Sequence, residues 1–282
     1  MALTFSEALD RAYNARLAVP DHMRWFSNWQ AKSAHARATH KAHCDLQFDP
    51  VTNGTADFFP AEGLASKAPC LIFIHGGYWR SMDKSDFSFI APPWVARGAH
   101  VLIPNYMLCP QANLEDIVTQ IRAHYQWVLH EREQLNIDPS RLLLVGHSAG
   151  AHLAAMILGD PTLKSPAALL GLSGIYDLTP LLQTSINADL NLSESAAQAL
   201  SPGHLPRPQK DCRLRLYAGA LESTEFHQQT RRFASAWDAE DQGLLPGLHH
   251  FSILDPLSEP DTPLFRCCEE LLFSPGGHTP AP

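Results

Sequence analysis

The chain has 282 residues, 45% of them hydrophobic, enough to bury one large core, so a single domain is the simplest expectation. Its 21 basic and 29 acidic side chains leave a formal net charge of -8, a field that repels polyanions and argues against a nucleic-acid partner. No apolar run approaches the roughly 18 residues a membrane helix needs, and Met1–Asp10, with Glu7, Asp10 and neither a basic nor an apolar region, does not read as a signal peptide.

Residues 5 to 40 read as two helical stretches separated by Pro20-Asp21, a helical N-terminal extension (1–40) to a domain spanning 1–274. Trp25, Phe26 and Trp29 share one face of it, either packed on the domain or lining a pocket. A period-two strand follows at about 44 to 48, then a short apolar piece at 57 to 59. From Pro69 onward, short apolar runs alternate with helical stretches. The runs are Cys70–Ile74, His100–Pro104, Arg141–Val145, Ala168–Leu172, Arg213–Ala218 and a weak one near Leu244–Leu248. Asn113 is placed to cap a helix in which Ile117, Ile121, Tyr125 and Val128 recur at helical intervals. This order predicts an α/β fold, a doubly wound and mostly parallel sheet with ligands at its C-terminal edge. Residues 275–282 read as a disordered tail.

The strongest motif is Gly146-His147-Ser148-Ala149-Gly150, which follows the strand-like Leu142–Val145 and opens a helix-like run. So tight a strand-to-helix turn strains the nucleophile's backbone and demands small neighbours, which is the physical reason for its two glycines. His75-Gly76-Gly77-Tyr78-Trp79 follows another strand, where a glycine-rich turn can aim amides at a developing oxyanion. The candidate donors are Gly76, Gly77, Tyr78 and Ala149; His75 reads as a hydrogen-bonder that shapes the turn. Trp79 and Tyr106 are candidates for a substrate pocket.

A serine is a poor nucleophile at neutral pH, so a base and an orienting carboxylate are needed, in this fold in the order serine, acid, histidine. His250 lies at the end of the last weak strand, with His249 its competitor. Glu222 follows the strand Leu214–Ala218 through a turn; Asp177, otherwise a cap for a helix beginning near Thr179, and Glu225 are alternatives. There is no P-loop, no dinucleotide fingerprint and no H-E-x-x-H, and His249-His250 lacks a spaced ligand set, so no metal or organic cofactor is expected. Cys44, Cys70, Cys109, Cys212, Cys267 and Cys268 form no C-x-x-C pair, and the adjacent Cys267-Cys268 would close a strained ring. They read as reduced thiols of a cytoplasmic protein.

Together these residues resemble the α/β-hydrolase family that contains kynurenine formamidase (arylformamidase), close to the hormone-sensitive-lipase-like esterases. The stretches carrying the resemblance are His75–Trp79, Asp83–Phe87, Gly146–Leu153, Gly174–Leu178, Glu222–His227 and His250–Phe251, with Tyr13-Asn14 and Pro20 similar as well. Tyr78 stands where many related esterases carry a third glycine. In the family the acid is usually an aspartate ahead of Ser-Pro-Glu-Phe-His; here Glu222 precedes Ser-Thr-Glu-Phe-His, one methylene longer and without the proline. The resemblance implies hydrolysis of N-formylkynurenine to kynurenine and formate. The residues alone imply acyl transfer to water, with Ser148, His250 and Glu222 as catalytic group and a small-molecule acyl substrate. A short-chain carboxylesterase and a catalytically dead binding module are the rival expectations, and a homodimer is the one protein partner left open.

Overall fold

The structure, a computed structural model, describes residues 4–63, 66–208 and 211–274. The expected tail at 275–282 lies outside the described residues. Among the described residues eight strands, β1 (His43–Asp49), β2 (Gly54–Phe59), β3 (Ala68–Ile74), β4 (His100–Pro104), β5 (Ile137–His147), β6 (Ala168–Leu172), β7 (Arg213–Gly219) and β8 (Asp241–Leu245), form one sheet in the order β1-β2-β4-β3-β5-β6-β7-β8. β1 and β2 run antiparallel to their neighbours, and β4 onward across the sheet is parallel. The expected mostly parallel α/β architecture is therefore the one observed.

β3 and β6, and β5 from Leu142 to Val145, are apolar and buried because helices cover both faces. Cys70, Ile72 and Ile74 of β3 and Leu142 and Leu144 of β5 join one core cluster, whereas Leu71, Phe73, Leu143 and Val145 join the other. The helices are α1 (Glu7–Tyr13), α2 (Ala15–Ala18), α3 (His22–Thr39), α4 (Ala91–Ala96), α5 (Leu114–Glu131), α6 (Ala149–Leu158), α7 (Asn187–Leu190), α8 (Glu194–Ala199), α9 (Thr224–Ala236) and α10 (Pro263–Phe273). Asn113 caps α5 in a reciprocal box with Asp116. All of α6 is buried, as expected of a helix with no polar face packed at the sheet's centre. Among the described residues no helix is long and apolar enough to cross a membrane.

Two expectations are corrected. The first helical stretch of the extension is two helices, because Asn14 ends α1 and its side chain caps α2 by accepting from Leu17 N–H at 3.2 Å. The last strand is Asp241–Leu245, ending before the Pro246-Gly247 turn; as an edge strand it leaves side chains half-solvated, which blurs its apolar pattern.

Burial also sets an acid limit on stability. Both ring nitrogens of His124 lack partners among the described residues, and burial against the Phe48 edge lowers its pKa to about 3. Burial likewise lowers that of His152 to about 4, although its Nε2 donates to the Leu200 carbonyl at 2.7 Å. The unfolded chain takes up these protons near its ordinary pKa of about 6.5 and the folded chain does not, so stability is full above that pH and falls as pH drops below it. Each group contributes a slope of about 1.4 kcal/mol per pH unit. Urea titrations between about pH 6 and pH 5 are expected to show His124→Phe flatter than the parent by one such slope; equal slopes would contradict the assignment.

Candidate active site

Ser148, His250 and Glu222 meet at the C-terminal edge of the parallel strands. Ser148 follows β5 with φ 54 and ψ -119, a left-handed conformation that costs a non-glycine residue about 1–3 kcal/mol. Its surroundings enforce the strain. The Ser148 amide donates to the Leu172 carbonyl at 2.8 Å, and any side chain at Gly150 would place a Cβ 1.9 Å from the Ile74 carbonyl oxygen. A Cβ at Gly146 would lie 2.4 Å from the Gly150 oxygen, so α6 can start directly against the sheet only with both glycines.

His250 reaches Ser148 Oγ from Nε2 at 3.0 Å, and its Nδ1 donates to Glu222 Oε2 at 2.7 Å. A carboxylate only accepts, so Nδ1 carries the proton and Nε2 is left to accept from the Ser148 hydroxyl. Glu222 Oε1 is fixed by the Gly219 amide and the Ser173 hydroxyl, each at 2.6 Å. Side-chain exposure of 6% for His250 and 1% for Glu222 keeps this chain of hydrogen bonds out of bulk water. The competitors lie elsewhere. His249 Nδ1 accepts from the Phe251 and Ser252 amides, and its ring meets Trp25 edge-on at 4.8 Å. Asp177 Oδ1 caps Thr179 at 2.9 Å and faces His204 at 3.2 Å, while Glu225 stands in the first turn of α9.

The loop after β3 folds back over the serine. Gly77 has φ 113, and a Cβ there would lie 2.1 Å from the Ser81 oxygen. Tyr78 and Trp79 follow with φ 52 and 54, the central pair of a turn closed by Arg80 N–H donating to the Gly77 carbonyl at 3.1 Å. Positive φ at both central positions normally selects Gly, Asn or Asp, so two aromatics here are a strained choice held by their contacts. The Tyr78 hydroxyl donates to the Tyr13 carbonyl of α1, and the Trp79 carbonyl accepts from Cys109 N–H at 2.7 Å. Gly76 lets the loop lie close, since a Cβ there would come within 3.0 Å of Ser148 Cβ. The amides of Gly77, Tyr78 and Ala149 make none of the turn, loop and cap hydrogen bonds of the described residues. His75 is wholly buried, stacked between Phe87 and Tyr106, and donates from Nδ1 to the Gly76 carbonyl at 2.8 Å; its burial lowers its pKa.

The pocket expectations for Trp79 and Tyr106 are corrected. Trp79 is wholly buried, edge-on to His152, because the left-handed backbone turns it into the core. Tyr106 lies behind the loop, donating to the His75 and Gly76 carbonyls at 2.9 and 3.1 Å. The cleft over Ser148, about 560 Å³ including its open mouth, is lined instead by Phe26, Trp29, Phe251, Met82 and the pair Arg16 and Arg80. Phe26 and Trp29 thus serve both readings of the extension, packing on the domain and lining the cleft. His147 also lines it, with Nε2 donating to the His250 carbonyl at 2.7 Å and a pKa that burial and the neighbouring His250 ring drive well down. Nothing in the sequence pattern marks Arg16, Arg80 or Met82, whereas Phe251 and His147 adjoin motif residues.

This sheet order, with the elbow serine after its central strand, defines an α/β-hydrolase-fold enzyme. The BD-FAE family model matches residues 56–162. Kynurenine formamidase of Danio rerio is 30% identical over 262 residues, 87% of each chain, and that of Salmo salar is 34% identical over 209 residues, 68% of this chain and 69% of the other. By those matches the chain belongs to the kynurenine formamidase family. A solved structure from Silicibacter sp. tm1040, provisionally described as a thioesterase, superposes with a TM-score of 0.83 at 30% identity, covering 93% of this chain and 98% of that one.

Proposed function

We propose that the protein hydrolyses a small acyl group from an aromatic amide or ester, in the manner of a kynurenine formamidase: N-formylkynurenine and water to kynurenine and formate. The observation that carries this reading is the unbroken Ser148–His250–Glu222 chain of hydrogen bonds opening into an aromatic-walled cleft. His250 Nε2 takes the Ser148 proton as Oγ attacks the formyl carbon. The amides of Gly77, Tyr78 and Ala149, with Gly76 keeping the loop close, receive the charge that builds on the carbonyl oxygen. Glu222 stabilises the imidazolium, which returns its proton to the departing arylamine nitrogen. Water, deprotonated by His250 in turn, then releases formate from Ser148. None of these steps calls for a cofactor. A cytoplasmic setting fits the same reading, since Cys44, Cys70, Cys109, Cys267 and Cys268 remain thiols.

Short acyl groups on aromatic leaving groups are the expected preference. Tyr78 and Trp29 wall the same cleft as the serine, while the rings of Phe26 and Phe251 offer a leaving-group arene stacking worth about 0.5–1.5 kcal/mol, roughly tenfold in rate. A series of p-nitrophenyl esters run beside N-formylkynurenine tests this. The expected optimum is at the shortest acyl chains, with formamide turnover. An optimum at about eight carbons or longer, without formamide hydrolysis, would replace the reading with a lipase-like esterase.

A further inference from the structure

The residues lining the cleft include two arginines and no carboxylate, in a chain whose formal net charge is -8. The two cations are not equivalent. Arg80 is paired with Asp189 beside the cleft, whereas Arg16 has no carboxylate partner among the described residues: its Nη2 donates to the neutral Ser81 hydroxyl at 3.0 Å. Arg16 is exposed at the cleft, and two features hold it in place. The Asn14 cap starts the short helix α2 that carries it, and its guanidinium stands 5.6 Å over the Phe26 ring, one of the cleft's own walls. Partial loss of water and repulsion from Arg80 both work against the Arg16 charge and lower its pKa. The charge of an arriving anion offsets both costs. The guanidinium fork matches a carboxylate's two oxygens, and such charge-assisted pairs are the stronger hydrogen bonds.

We propose that Arg16, backed by Arg80, is a specificity-determining residue of this cleft and receives a carboxylate carried on the leaving group of the aryl amide or ester. The proposal rests on the functional reading above, which assigns the short acyl side to Ser148 and so leaves the arginine end of the cleft to the leaving group. It also assigns a role to the N-terminal extension. Arg16, Phe26 and Trp29 all come from it, so the extension supplies recognition while the sheet edge supplies chemistry.

The test compares N-formylkynurenine with its side-chain carboxamide, equal in size but without the negative charge, on the parent enzyme, Arg16→Met and Arg16→Lys. The parent is expected to favour the carboxylate by about tenfold or more in kcat/KM, the range of a charge-assisted hydrogen bond. Arg16→Met is expected to bring the ratio near one, mainly through KM, as loss of uniform binding does, and Arg16→Lys to recover part of it. Calorimetric binding of kynurenine and its carboxamide to the Ser148→Ala protein should give the same ratios without any turnover. An unchanged ratio in Arg16→Met, by rate and by binding, overturns the proposal. p-Nitrophenyl acetate, which is uncharged, separates the two failures. If it is hydrolysed in a Ser148-dependent way while no carboxylate preference exists, the Arg16 assignment alone falls. If the parent turns over none of the three substrates, the functional reading falls, and the binding ratios still decide for or against Arg16.

Discussion

Ser148→Ala is expected to fold normally and to hydrolyse substrate about a million-fold more slowly than the parent, the scale seen when a comparable hydrolase loses its nucleophile. That factor corresponds to about 8 kcal/mol of transition-state stabilisation. The fold should survive because nothing that shapes the elbow depends on the hydroxyl. Gly146 and Gly150 make the close approaches, the Ser148 amide keeps its bond to Leu172, and alanine meets the left-handed backbone at no greater cost than serine. Circular dichroism and initial rates on one preparation check both halves. Residual activity above a few per cent would remove Ser148 from the mechanism.

Glu222→Gln is expected to lower turnover on the order of a thousand-fold or more, by analogy with orienting acids elsewhere, and far more than Asp177→Asn. The geometry says why an isosteric change is so costly. The Gly219 amide and the Ser173 hydroxyl both point at Oε1, so a glutamine must place its oxygen there and turn its NH2 toward His250 Nδ1. Two donors then face each other. The imidazole is relieved by moving its proton to Nε2, which leaves no lone pair for the Ser148 hydroxyl. Asp177→Asn keeps an oxygen to cap Thr179 and only weakens the contact with His204, and neither residue lines the cleft over Ser148. Steady-state rates of the two variants decide it, and the reverse order would move the acid to Asp177.

The sequence shows most clearly those parts in which one physical cause dominates. β4 and β6 are buried on both faces, and their apolar runs begin and end where the strands do, at His100–Pro104 and Ala168–Leu172. The elbow is legible because steric necessity puts glycines at 146 and 150, and Glu222 and His250 because each follows a strand in the order the fold requires. β8 is misread because its half-solvated edge competes with the apolar residues around the Pro246-Gly247 turn. The break at Asn14 has no Pro or Gly to announce it; a capping asparagine inside a helical pattern is visible only once both helices are seen. Trp79 and Tyr106 are aromatics beside a motif, and adjacency in sequence does not say which way a side chain turns. Two left-handed residues in succession, which no local propensity favours, send Trp79 inward. Arg16 joins the site through the placement of the extension, a tertiary fact with no local signal.

That Ser148 is a nucleophile activated by His250 in the folded protein is the claim on which the proposed mechanism stands. A fluorophosphonate probe reacts with such a serine and spares unactivated ones, so mass mapping of the labelled folded chain tests the claim directly. The expected result is a single stoichiometric label on Ser148, lost in the Glu222→Gln and Ser148→Ala proteins under the same exposure. A folded chain that takes up no label, or carries it on another residue, would contradict the account.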